Sequence, residues 1–214
     1  MKKKVLITGC SHVSGHGFED NITGARQSKH AWPEMVKQDF DTEVINYSIA
    51  GAGPDYCVER IQNFEDKQSL SAILVMLPHS RRSLQSIVRD NGNIEDEFYC
   101  HGLTSHDRRW NQVMAAYYKI CHNWRVDDIN LLAYAGYLNF VSKTYNIPLW
   151  LTASTSNDHK LLTKHNIQLA TLTDWQTYCT INKFAKLPDG HFGHDAHSNF
   201  YKRFVNPWLI SKLI

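Results

Sequence analysis

Cysteine is scarce and unpaired in this sequence. The five present (Cys10, Cys57, Cys100, Cys121 and Cys179) are odd in number, far apart and without a Cys-x-x-Cys pair. That excludes a disulfide framework and a zinc knuckle, and it points to reduced thiols. An excess of one charge is also missing: 23 Lys+Arg stand against 21 Asp+Glu, a formal net of +2 with His neutral. So close a balance leaves no electrostatic footprint for nucleic acid, and no nucleic-acid partner is expected. No apolar run approaches the roughly 18 residues of a membrane span, so no membrane association is expected either. Only Val5, Leu6 and Ile7 separate the Lys2-Lys3-Lys4 run from Thr8. A secretory signal core takes about 7–15 apolar residues. The expected location is therefore cytoplasmic.

The usual nucleotide and metalloprotease motifs are absent as well. Gly9 is followed by no glycine until Gly15, so the tight Gly-x-Gly-x-x-Gly turn cannot form. The second predicted strand ends at Asn46, not at an acidic residue for a ribose hydroxyl. No Gly-Lys-Ser/Thr, no Tyr-x-x-x-Lys and no His-Glu-x-x-His occurs anywhere. No cofactor and no resident metal is expected.

What remains is a globular composition, 43% hydrophobic and 21% charged, in 214 residues. That suits a single domain over 1–214 with one core. Apolar runs at 5–8, 42–47, 72–77 and 147–152 read as strands, with a weaker fifth at 167–172. Helical spacing marks 31–40, 56–64, one or two helices within 110–145, and a terminal helix over 199–213 broken or kinked at Pro207. The helix-spaced aromatics Tyr117, Tyr118, Trp124, Tyr134, Tyr137 and Phe140 read as core. The polar stretch 89–107 reads as an inserted loop, and 188–197 as a polar loop. Strands alternating with helices predict a three-layer α/β/α domain around a sheet of about five parallel strands.

In such a sheet the ligand site forms beyond the C-terminal strand ends. Those segments read Gly9-Cys10-Ser11-His12, Ser48-Ile49-Ala50-Gly51 and Pro78-His79-Ser80-Arg81-Arg82. Ser11 is placed to expose a hydroxyl after the first strand. A serine needs a base in hydrogen-bond reach, and the base needs a third group to orient it. Asp189-Gly190-His191 supplies both types, with His194 and His197 following.

These blocks resemble the SGNH (GDSL-type) hydrolases. The family's Gly-Asp-Ser-x-x-x-Gly corresponds to Gly9-Cys10-Ser11 with Gly15, with Cys10 in place of the Asp. Its frequent Ala-Trp-Pro corresponds to Ala31-Trp32-Pro33, and its Asn-x-x-x-x-Gly to Asn46 with Gly51. Its terminal Asp/His block corresponds to Asp189 and His191, with His197 six residues on. The resemblance implies Ser11 as nucleophile, His191 as general base and Asp189 as the group orienting it. It also implies an oxyanion hole built from the Ser11 and Gly51 backbone N–H groups. The family's third block carries an Asn donor; here Ser80 falls nearest that position, with His79 and Arg82 beside it. The family's last block is more often Asp-x-x-His, so His194 is the alternative base.

The implied reaction is hydrolysis of a carboxylic ester through an acyl-enzyme. The substrate class would be an O-acetyl group on a carbohydrate or a short acyl ester. Two other readings stand beside it. One is a catalytically degenerate binding module for carbohydrate or protein. The other is a metal-dependent hydrolase, because His191, His194 and His197 recur every third residue with Asp189 and Asp195 adjacent.

Overall fold

The computed structural model describes residues 2–88, 94–100 and 123–214, with the backbone alone between 83 and 100. The sheet is built on continuous apolar strands. β1 (Lys4–Thr8) holds Val5, Leu6 and Ile7 fully buried, and β3 (Leu70–Leu77) is buried along nearly its whole length. Strands this apolar on both faces belong in the middle of a parallel sheet covered by helices on each side. β2 (Glu43–Asn46) pairs with β1 on one edge, and β6 (Leu149–Ala153) pairs with β3 on the other. The order is β2-β1-β3-β6, all parallel.

Side chains alternate between two cores, as the two-residue strand period requires. Val5, Ile7, Leu74, Met76 and Trp150 face α2 (Trp32–Phe40), α6 (Trp175–Ile181), α7 (His194–Phe200) and α8 (Asn206–Leu213). Leu6, Ile73, Val75, Leu77 and Leu151 face α3 (Pro54–Gln62), α4 (Trp124–Tyr145) and α5 (Ser156–Lys164). This is the three-layer α/β/α arrangement. No helix among the described residues is long and apolar enough to cross a membrane.

Several sequence-based expectations are corrected. The run 167–172 is not a strand. It contributes one ladder-like bond, from the Ala170 N–H to the Leu151 carbonyl at 2.7 Å, so the described sheet has four strands. Its Thr171 carbonyl lies 3.1 Å from the side-chain Nε2 of His159. The stretch 89–107 is not simply a loop: β4 (Arg82–Val88) and β5 (Ile94–Cys100) pair antiparallel, while 89–93 and 101–107 lie outside the described residues.

The polar 188–197 segment becomes helical at His194. The C-terminal run is interrupted close to Pro207, as expected: a π-helical turn at Tyr201–Val205 separates α7 from α8. Pro207 sits in the first turn of α8, directly after the π-helical turn, and its missing N–H removes one donor to the carbonyls of that turn. Within α4, Trp124 and Phe140 are 57% and 63% exposed, so the aromatic spacing there does not mark a core face. Tyr137 does pack on the core, while Tyr117 and Tyr118 lie outside the described residues.

Candidate active site

The C-terminal ends of β1, β2 and β3 deliver the three polar segments to one end of the sheet. After β1 the chain turns at Gly9, where an added Cβ would collide with Val13. It then enters the short helix α1 (Ser11–Ser14). Ser11 opens that helix, so its N–H has no intrahelical acceptor. Contrary to the expected exposed hydroxyl, Ser11 is only 3% exposed. The loop after β2 is tied to this turn. The Ile49 N–H donates to the Gly9 carbonyl at 3.2 Å, and Ala52 packs in one buried cluster with Cys10 and Tyr56. Asn46 holds the loop's start through its Oδ1, which accepts the Ser48 N–H at 3.0 Å and the Ser48 hydroxyl at 2.7 Å. Gly51 has φ +83°, a left-handed conformation open to glycine without a Cβ penalty.

The C-terminal block supplies the pair with the clearest chemistry. His191 Nδ1 lies 3.0 Å from Asp189 Oδ2, and the His191 backbone N–H donates to Asp189 Oδ1 at 3.1 Å. With Nδ1–H directed at the carboxylate, Nε2 keeps its lone pair and is the nitrogen able to take a proton. The His191 ring lies 5.8 Å from the ring of His12, the residue after Ser11. Among the described residues no hydrogen bond joins Ser11 Oγ to His191.

Burial, followed by the pull of Asp189 and the repulsion of His16 and Arg82, leaves His191 below the ordinary histidine value. It is therefore neutral at neutral pH. Burial pushes the Asp189 carboxyl upward, but the His191 N–H, the His191 ring and His16 outweigh it and hold that group below its usual range. His12 is half-buried and stacked on Trp175 at 5.8 Å. Burial first, then His191, Arg82 and His197, hold it well below the ordinary value, so it is a neutral packing group.

The remaining candidates separate. His194 stands against His30 and Phe18, with ring centroids at 5.5 and 6.0 Å, and Asp189 is committed to His191. His197 is a core residue. Its Nδ1 accepts the Trp32 N–H, which has no intrahelical acceptor at the start of α2, at 3.4 Å, and its ring packs on Trp175 at 4.9 Å. Burial drives its pKa down to about 3. The three histidines of the 191–197 run therefore do not converge on one ion, which corrects the metal reading drawn from their spacing.

In the third segment, the Ser80 N–H donates to buried Asp158 Oδ2 at 3.2 Å, and the same oxygen accepts the Thr155 hydroxyl at 2.6 Å. His79 Nδ1 accepts the Arg81 N–H at 3.1 Å. Arg82 is the cation felt by His12, His79 and His191 together, and its backbone passes over Gly53 so closely that a Cβ there would strike it.

The fold is one that solved esterases share. The chain superposes on TesA with a TM-score of 0.56 at 12% identity, covering 97% of this chain and 98% of that one. For the psychrotrophic esterase EstA from Pseudoalteromonas sp. the TM-score is 0.54 at 12% identity, with 98% and 100% covered. For the acetyl xylan esterase Est2A of the rumen bacterium Butyrivibrio proteoclasticus it is 0.52 at 14% identity, with 99% of this chain and 64% of that one covered. No protein-family profile matches the sequence, and no curated protein matches it. The structural likeness supports the resemblance to the SGNH hydrolases at the level of the fold.

His16 and Asp158 are the residues that sequence reasoning missed. His16 lies between two glycines, and its ring reaches to 4.7 Å from that of His191. Asp158 was detectable from Thr155-x-x-Asp158, a helix-capping pattern in which Thr155 caps α5.

Proposed function

We propose that this protein is a serine hydrolase of carboxylic esters. The observation that carries the reading is the Asp189–His191 hydrogen bond beside α1, at the sheet end where the strand loops gather. Ser11 Oγ attacks the ester carbonyl carbon while His191 Nε2 takes its proton. Asp189 holds the imidazole in the required tautomer and stabilises the imidazolium that forms. The carbonyl oxygen gains charge and is met by the Ser11 and Gly51 N–H groups. The tetrahedral intermediate expels the alcohol, which leaves with the proton from His191. Water, deprotonated by the same histidine, then cleaves the acyl-serine to give the acid and free Ser11.

The third-block Asn of the resembling family has no counterpart here; the Ser80 hydroxyl falls nearest its position, while the Ser80 N–H is held by Asp158. Arg82, a cation whose field reaches His191, is the second group proposed to compensate. The substrate class proposed is an acetyl group on a carbohydrate or another short acyl ester. Acetyl xylan esterases among the fold's relatives support the first. Three buried free thiols, Cys10, Cys57 and Cys179, accord with a cytoplasmic location.

A binding module is the second reading. It is favoured by the deep burial of Ser11 and by its lack of a bond to His191. Catalytic hydrogen bonds often tighten only when substrate binds, which is why the enzyme reading is preferred. Hydrolysis of p-nitrophenyl acetate separates the two. Turnover that vanishes in Ser11→Ala is the expected result; a wild-type protein without turnover on acetyl esters contradicts the proposal.

A further inference from the structure

His16, Asp189 and His191 come together from opposite ends of the chain. One donor atom of each lies within 4.8 Å of the other two. The local backbone builds this cluster. The Ser11 carbonyl accepts the Gly15 and His16 N–H groups at 3.0 and 3.3 Å, which folds the loop back onto α1. Gly17, at φ +93°, has no side chain, and the Asp189 carboxylate lies directly against it. His16 Nε2 is 3.0 Å from the Ile22 carbonyl, so Nε2 carries the proton and Nδ1 keeps the free lone pair. A backbone carbonyl on the far nitrogen is the outer partner that fixes the tautomer of metal-ligating histidines.

We propose that His16, Asp189 and His191 bind one zinc-class transition-metal ion. Two imidazoles with one carboxylate suit Zn²⁺, which accepts three protein ligands and leaves a fourth position to water. Ca²⁺ and Mg²⁺ take oxygen ligands and fit this set poorly. All three side chains keep contact with solvent, so an ion can reach them. The bound ion takes a lone pair of His191 and the carboxylate that orients it, so a loaded chain has no general base. This blocking effect rests on the reading of His191 as the base; the binding site does not.

The direct test is titration of chelator-treated protein with Co²⁺, followed by its visible absorbance, with displacement by Zn²⁺ and calorimetry of Zn²⁺. One ion per chain is expected, weakened by more than about 100-fold in His16→Ala, His16→Gln and Asp189→Asn, judged against the smaller losses typical of outer-shell changes. Binding is expected to be unchanged in His194→Ala. Far-UV circular dichroism checks that each variant is folded. No Co²⁺ signal, equal binding by the His16 variants, or Ca²⁺ binding as tight as Zn²⁺ overturns the site. In a parallel arm, Zn²⁺ is expected to abolish p-nitrophenyl acetate hydrolysis in wild type and in His194→Ala, and zinc sensitivity to be lost in His16→Ala. Hydrolysis that is indifferent to bound zinc, or raised by it, overturns the block. If the chain hydrolyses nothing, the ester-hydrolase reading fails while the Co²⁺ titration still decides the metal site.

Discussion

Asp189 grips His191 twice, with Oδ2 at 3.0 Å from the ring Nδ1 and Oδ1 accepting the backbone N–H at 3.1 Å. A carboxylate bound to both the ring and the backbone of one histidine fixes the ring's rotation as well as its tautomer. That is the arrangement a general base needs, and the first prediction concerns it. Asp189→Asn keeps the shape but removes the charge that raises the His191 pKa. In the proposed mechanism kcat falls by about 10⁴-fold, and the acid limb of the pH–rate profile moves to lower pH. Steady-state kinetics across the acid range would show both.

Arg82 acts on His191 in the opposite direction, because a nearby cation disfavours the imidazolium. In wild type the acid limb of kcat/KM lies below the ordinary histidine value of 6.5. Arg82→Gln moves that limb to higher pH. If Arg82 also meets the developing oxyanion, kcat falls by about 10²-fold. A limb that stays in place contradicts the electrostatic role given to Arg82.

Gly17 and Gly190 both have positive φ, +93° and +87°, yet their surroundings differ. A Cβ at Gly190 meets open space, whereas one at Gly17 strikes the Asp189 carboxylate. Alanine at either site costs roughly 1–2 kcal/mol of left-handed strain. Gly17→Ala pays the collision in addition. Thermal melts are expected to rank Gly17→Ala below Gly190→Ala, and an equal pair would show that the carboxylate does not rest there.

Buried His197 gives the fold an acid sensitivity unconnected with turnover. Its folded pKa is about 3, against an ordinary value of 6.5. Between these values the unfolded chain holds a proton that the folded chain lacks, so stability falls as pH drops through this window. The contribution is fully present above pH 6.5, and its loss reaches about 1.4 kcal/mol per pH unit. His197→Gln keeps an acceptor for the Trp32 N–H, lowers stability at neutral pH and flattens the slope between pH 6 and 4. Chemical denaturation across that range measures it.

The central strands were legible because β1 and β3 are continuous apolar runs, a pattern that burial on both faces demands. The C-terminal helix α7 was not, because His194, Asp195, Ser198 and Asn199 give it the composition of a loop. Only Ala196, His197 and Phe200 are buried, a stripe too short to show helical periodicity. The 167–172 run had strand composition but little ladder: beside the Ala170 N–H bond to Leu151, its Thr171 carbonyl lies 3.1 Å from His159 Nε2. In the site, Asp189 and His191 were readable because they are neighbours in sequence. His16 was not, because its approach to Asp189 depends on a glycine turn at the other end of the chain.

The most direct measurement is peptide mass mapping after treatment with a fluorophosphonate, which adds a phosphonyl group only to an activated serine. The account predicts a single adduct on Ser11, lost in Ser11→Ala and formed much more slowly in His191→Ala. Absence of any adduct on Ser11 in folded wild-type protein, or an adduct whose formation rate is unaffected by His191→Ala, would contradict it.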